Sequence, residues 1–127
     1  MTIPFEFYPA KTTGTSIIVP PGLTQKDELF SFYATAFCFP GYFGYNWDAL
    51  EECLRDMQNW HPKERCFTLL HQDIPLVATL NDAKVYLEIL SEILTNRNSL
   101  IKQVVFHSSD SVMIQSLLGI PNSTSHE

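Results

Sequence analysis

Three short runs of β-branched and apolar residues, each parted from the next by stretches with helical periodicity, constrain the fold of this chain more than any other feature. Ser16 to Val19 reads Ser-Ile-Ile-Val and is stopped by Pro20-Pro21-Gly22. Arg65 to His71 carries Cys-Phe-Thr-Leu-Leu, and Lys102 to Ser108 carries Val104, Val105 and Phe106. Runs of this length, bounded by turn residues, read as strands. After the first, Thr24 with Asp27 makes a capping-box-like start for a helix reaching about Phe37, in which Leu29, Phe30, Tyr33 and Phe37 share a face. A second helix follows Asn46. After the second strand, Thr79 or Asn81 begins a long helix through about Thr95, with Ala83, Tyr86, Leu87, Leu90, Ile93 and Leu94 as its apolar stripe.

Strands joined through helices pair in parallel, because antiparallel pairing of neighbours needs a short turn. The expected fold is α/β: a single small layered domain over residues 1–127, with a three-stranded parallel sheet and helices in the order β-α-α-β-α-β. Phe5 and Phe7 flank Glu6 in an alternation that can add an N-terminal edge strand, kept short by Pro4 and Pro9. Residues 1–13 otherwise read as an extension, and 119–127, Gly-Ile-Pro-Asn-Ser-Thr-Ser-His-Glu, as a frayed tail.

Charge narrows the partners. Fourteen acids against eight bases give a net charge of −6, which disfavours direct binding to nucleic acid or an anionic membrane and favours a basic partner. A chain that is 45% hydrophobic and 13% aromatic has enough apolar surface to fold without staples. Its three cysteines, Cys38, Cys53 and Cys66, are odd in number and lack a Cys-x-x-Cys, so they read as reduced, mostly buried thiols. The start lacks a basic region followed by an apolar run, and the expected location is cytoplasmic.

The helix after Asn46 is the most informative segment for function. Asn46 is a good N-cap, and Gly41 and Gly44 before it permit a tight approach. Trp47, Leu50, Leu54 and Met57 recur at helical spacing and predict a buried face, with Cys53 at its margin. Asp48, Glu51, Glu52, Arg55 and Asp56 remain for the outer face. Asp48 with Glu51, Asp48 with Glu52 and Glu52 with Asp56 are like charges three or four residues apart, each costing an isolated helix roughly 0.2 to 0.5 kcal/mol. Asp48 recovers part of this from the helix dipole, whereas Glu52 and Asp56 lie too far along to do so. The simplest reading is a solvated face on an acidic protein. A partner that brings positive charge would also explain the placement.

The segment Tyr42-Phe43-Gly44-Tyr45-Asn46-Trp47-Asp48-Ala49-Leu50-Glu51-Glu52-Cys53-Leu54 resembles the signature of the barstar family, intracellular inhibitors of the ribonuclease barnase, which runs Tyr-Tyr-Gly-x-Asn-Leu-Asp-Ala-Leu-Trp-Asp-Cys-Leu. Agreement falls at Tyr42, Gly44, Asn46, Asp48, Ala49, Leu50, Cys53 and Leu54. The resemblance implies a layered fold of the same order and a non-enzymatic protein that plugs a basic nuclease, most simply a ribonuclease toxin, one to one. It implies that Tyr42 stacks on a catalytic histidine, that Asp48 pairs with the nuclease's basic residues, and that Glu52 stands where the family has its principal aspartate, at the site of the substrate phosphate. Glu52 is one methylene longer than that aspartate, and Glu51 replaces a tryptophan; both departures point away from barnase itself as the target. Tyr45, Phe43 and Asp56 are expected to support the contact. Trp47 is assigned to the core on its phase, with an edge toward the loop, and Glu92 of the long helix corresponds loosely to a further family glutamate.

Other chemistries find less support. Asp48 and Glu52, one helical turn apart, could divide acid and base roles only in a cleft that gave them opposed environments, and one solvated face does not. His61, His71, His107 and His126 lack metal-ligand spacing, and His71-Gln72-Asp73 reads as loop polarity. Neither a metal nor a cofactor is expected. Cys53, buried among carboxylates, should have a raised pKa and be unreactive. The remaining alternative is an acidic adaptor that uses the same surface on a basic protein other than a nuclease.

Overall fold

The computed structural model describes residues 3–61 and 65–120. The elements in chain order are β1 (Glu6–Phe7), β2 (Thr15–Val19), α1 (Lys26–Ala36), α2 (Trp47–Arg55), α3 (Met57–Trp60), β3 (Phe67–His71), α4 (Leu80–Thr95), β4 (Ile101–Phe106), a 3-10 turn (Ser108–Asp110) and α5 (Ser111–Leu118). The sheet has four strands in the order β1-β4-β3-β2, and every pairing is parallel. The fourth strand is the N-terminal edge strand that the alternation around Glu6 suggested, two residues long. Two elements escaped the sequence reading. One is the short α3, set off from α2 where Asp56 leaves helical geometry at φ −99°, ψ 17°. The other is α5 with the 3-10 turn before it.

The apolar stripes meet as expected. Leu29, Phe30 and Tyr33 of α1, Leu50, Cys53 and Leu54 of α2, and Ala83, Tyr86, Leu87, Leu90 and Ile93 of α4 join Leu69 of β3 and Val104 and Phe106 of β4 in one cluster. The start of α1 differs by a residue from the expected box. Glu28, not Asp27, is the reciprocal acid, its Oε1 accepting from the backbone N–H of Gln25 and of Thr24 at 3.0 Å each. Those bonds hold the Glu28 carboxyl below the usual range.

Residues 1–13 are more than an extension. Phe5 is buried and its ring lies 5.2 Å from that of Phe106, while Tyr8 N–H donates to the Phe106 carbonyl at 3.0 Å. Because Leu69 belongs to the helix-side cluster, its neighbour Thr68 projects to the opposite face of the sheet. There Gln103, in register with Thr68, gathers the passing chain. Its Oε1 accepts from Thr13 N–H at 2.7 Å and lies 2.8 Å from the Thr68 hydroxyl, and its Nε2 donates to Glu6 Oε2 at 3.0 Å and to the Lys11 carbonyl at 2.9 Å. Gly14, at φ 70°, passes so close to Cys66 that any side chain would strike that residue's carbonyl. At the other end Gly119 stops α5 in the left-handed conformation at φ 71°, and Ile120 is buried. The expected tail thus begins inside the fold, and its residues 121–127 lie outside the described residues.

Inside the core His71 does not behave as loop polarity. Its Nε2 lies 2.6 Å from the Tyr86 hydroxyl, which lies 2.5 Å from that of Tyr33, and its ring stacks on Phe106 at 4.1 Å. Burial drives the His71 pKa down to about 3, so the ring is neutral at physiological pH. Asp73, the other half of that cue, binds backbone: its Oδ2 accepts from Gly22 N–H at 3.0 Å. Of the three thiols only Cys53 is buried; Cys38 and Cys66 are exposed. No helix among the described residues is long and apolar enough to cross a membrane.

Candidate partner-binding surface

The loop from Cys38 to Asn46 is fixed at both ends before it reaches the surface. Where α1 stops, Phe37 N–H donates to the Tyr33 carbonyl at 3.0 Å and Phe39 N–H reaches back to that of Ala34 at 2.9 Å. Cys38 between them is left-handed at φ 55°, in the place where such a helix end usually has glycine. Where α2 starts, Asn46 Oδ1 accepts from Ala49 N–H at 2.8 Å and its Nδ2 donates to the Gly44 carbonyl at 3.2 Å. One side chain therefore caps the helix and ties the loop to it. Of the two glycines expected to permit a tight approach, only Gly44 does. A Cβ there would lie 3.1 Å from Asn46 Nδ2, whereas one on Gly41 meets nothing within 4 Å. The second left-handed position in the loop belongs to Tyr45, at φ 51°.

Aromatic rings brace the loop from below. Phe43 packs edge-on against Phe39 at 4.8 Å and Phe30 at 6.3 Å, and Phe39 in turn meets Trp60 at 5.3 Å. Trp60 is anchored by its Nε1–H, which donates to the Cys53 carbonyl at 2.9 Å. Such pairs contribute about 0.5 to 1.5 kcal/mol each beyond their buried area. Phe43, expected among the partner contacts, is 7% exposed and belongs to this support. Loop residues have no periodicity to separate inside from outside, so sequence alone could not place it. Tyr42 and Tyr45 are the rings that face solvent, at 72% and 50% exposed, with Tyr45 resting 4.7 Å from Phe43. Trp47 is half-buried, edge-on to Phe30 at 5.0 Å, so its phase toward the core and its margin at the surface both hold.

On α2 the carboxylates divide into two groups. Arg55 engages Glu51 at 4.0 Å and Asp56 at 3.7 Å. These pairs are long and solvent-exposed, and each contributes little stability. Asp48 and Glu52 are exposed and, among the described residues, make no ion pair. Glu92 of α4, the loosest of the sequence assignments, is brought beside Glu51. Partial burial, then the hydrogen bond and charge of Glu92, hold the Glu51 carboxyl above its ordinary range, while Arg55 works against this and Asp48 adds to it. Cys53 behaves as expected, its thiol pushed up by burial and by Glu52 and Asp56. The surface is thus a band of acids from Asp48 through Glu52 on α2 to Glu92 on α4, beside two upright tyrosines.

A parallel α/β layer that carries an acidic helix directly after a braced aromatic loop is a plan with a known family. Residues 17–107 match the model described as Barstar (barnase inhibitor), a span that includes β3, β4, the four helices α1 to α4 and the whole acidic surface. This chain belongs to the barstar family, whose members are inhibitors and not enzymes. No curated protein and no solved structure matches the chain.

Proposed function

We propose that the protein is an immunity protein that binds a basic ribonuclease toxin one to one in the cytoplasm and closes its active site with α2 and the Cys38–Asn46 loop. The observation that carries this reading is the presence of two exposed carboxylates, Asp48 and Glu52, that make no ion pair among the described residues, beside Tyr42 exposed on a braced loop. A ribonuclease holds phosphate with Lys, Arg or His and stacks bases on aromatic faces, so a carboxylate and a tyrosine can occupy the same subsites. Inhibition is then occlusion, with no bond made or broken. Because the loop is held by caps and ring packing before any partner arrives, little ordering is left to oppose binding. The net charge of −6 steers the encounter with a basic surface. Glu52 reaches further than an aspartate and selects a nuclease whose phosphate site accepts the longer arm.

The test is capture from the source organism's lysate by the wild type, by the Asp48→Ala, Glu52→Ala double variant and by an Asp110→Ala control, followed by ribonuclease assays. A small basic ribonuclease captured and silenced by wild type and control but not by the double variant is the expected result. Capture of a basic protein without nuclease activity through the same acids would replace the inhibitor reading with the adaptor.

A further inference from the structure

Beside α4 lies a groove of about 610 Å³, lined by Glu88, Ile89 and Glu92 of α4 and by Pro4, Leu118 and Ile120 from other parts of the chain. Its walls have different origins. The α4 wall lies inside the family-matched span of residues 17–107, whereas Pro4, Leu118 and Ile120 lie outside it. The groove thus joins a helix of the family-matched span to the N-terminal segment and α5, which lie outside that span. Ile89 and Ile120 are buried at its base, and Glu88 and Glu92, one helical turn apart, are exposed at its rim. No lysine or arginine lines it among the described residues. Glu92 also belongs to the acidic band, through Glu51, so the groove continues the surface that α2 presents.

We propose that the groove takes a second segment of the same basic partner, a stretch in which Lys or Arg neighbours aliphatic side chains, and that the contact is thereby gripped at two points. The partner's identity rests on the function proposed above; the chemistry of the groove does not. Aliphatic side chains fill the apolar base while cations meet Glu88 and Glu92, a division of labour common in grooves of this size. A second copy of this chain is a poor occupant, because two surfaces of net charge −6 repel. The residues after Ile120, Pro-Asn-Ser-Thr-Ser-His-Glu, contain no lysine, arginine, leucine, isoleucine or valine.

The test is a methyl NMR titration of the full chain with the capped peptide Leu-Arg-Leu-Lys-Leu and, as control, Leu-Glu-Leu-Glu-Leu. The basic peptide is expected to shift the methyl signals of Ile89, Leu118 and Ile120, the acidic one to leave them in place, and the Glu88→Gln, Glu92→Gln double variant to bind the basic peptide about fivefold more weakly. Three results would overturn the proposal: no shift of these methyls, equal shifts from both peptides, or shifts that follow protein concentration without peptide alongside a dimer mass. A groove that responds while no nuclease is silenced counts against the inhibitor reading and leaves the groove standing. A silenced nuclease with no groove response removes the second grip alone.

Discussion

The carboxyl of Glu51 on α2 lies beside that of Glu92 on α4, and partial burial together with this neighbouring acid holds Glu51 above the ordinary glutamate range. The folded protein thus favours the protonated form of Glu51. Stability from this group is fully present below the ordinary glutamate range and is lost as pH rises through the raised value. The Glu51→Gln variant, which keeps a hydrogen-bond donor without the charge, should be more stable than wild type at pH 7 and show a flatter pH dependence through the carboxylate range. Urea unfolding across pH 4 to about 8 measures both.

His71 works in the opposite direction. Its folded pKa is lowered from 6.5 to about 3, so the folded state excludes a proton that the unfolded chain binds. Stability from the neutral ring is complete above 6.5 and is lost as pH falls toward 3, with a slope approaching about 1.4 kcal/mol per pH unit within that window. The His71→Gln variant should lose this slope. Its thermal midpoint should change less than that of wild type between pH 6 and about 4.

Tyr42 and Phe43 are adjacent in sequence and opposite in role. Truncating Phe43, which is buried among Phe30, Phe39 and Tyr45, should cost about 3 to 5 kcal/mol of folding stability. Truncating Tyr42 should change stability by less than about 0.5 kcal/mol. If the surface binds as proposed, Tyr42→Ala should weaken inhibition while the melting curve stays in place. Denaturant melts beside inhibition assays separate the two effects.

Cys38 spends conformational energy at the end of α1. It is left-handed at φ 55°, and its exposed side chain is held by a long Sγ–H contact to the Thr35 carbonyl at 4.0 Å. The Cys38→Gly variant should gain about 0.5 to 1 kcal/mol, the relief of the left-handed strain exceeding the added freedom of the unfolded chain. A rise in the urea midpoint at constant slope is the expected sign.

Gln103 holds the passing segment with one side chain. The Gln103→Ala variant removes its bonds to the Thr13 N–H and the Lys11 carbonyl, which water can then reach, and should cost about 0.5 to 1.5 kcal/mol. Hydrogen exchange should show the loss first as faster exchange at Thr13, with β3 amides changing less.

Where a residue's partners lie nearby in the chain, or repeat with a period, the sequence was legible. The stripes of α1, α2 and α4 follow spacing, and the burial of Leu50 and Leu54 with Asp48 and Glu52 outside follows from the phase of one helix. The cap at Asn46 was legible because it acts within three residues. What stayed hidden depends on distant partners. Phe43 reads as surface until Phe30 and Phe39 are brought beneath it, and His71 reads as loop polarity until Tyr86 meets it in the core. In α5, Ile114, Leu117 and Leu118 pack on the core while Val112 and Met113 are exposed, so apolar letters on both faces mask the stripe. The groove was illegible for the same reason, since the residues that line it with α4, Pro4 on one side and Leu118 with Ile120 on the other, are more than a hundred positions apart in sequence.

The strand order β1-β4-β3-β2 carries a consequence for how the chain is made. A sheet with parallel neighbours throughout contains no hairpin, so no two of its strands can pair as a local unit. Among the described strands β1 pairs with β4 alone, and Phe5 rests on Phe106, so the first of these strands to leave the ribosome waits for the last of them. Until then Phe5 lacks its aromatic partner and the edge of the sheet is missing. Synthesis and assembly thus run in opposite order at this edge, and its completion is timed by the arrival of the final strand.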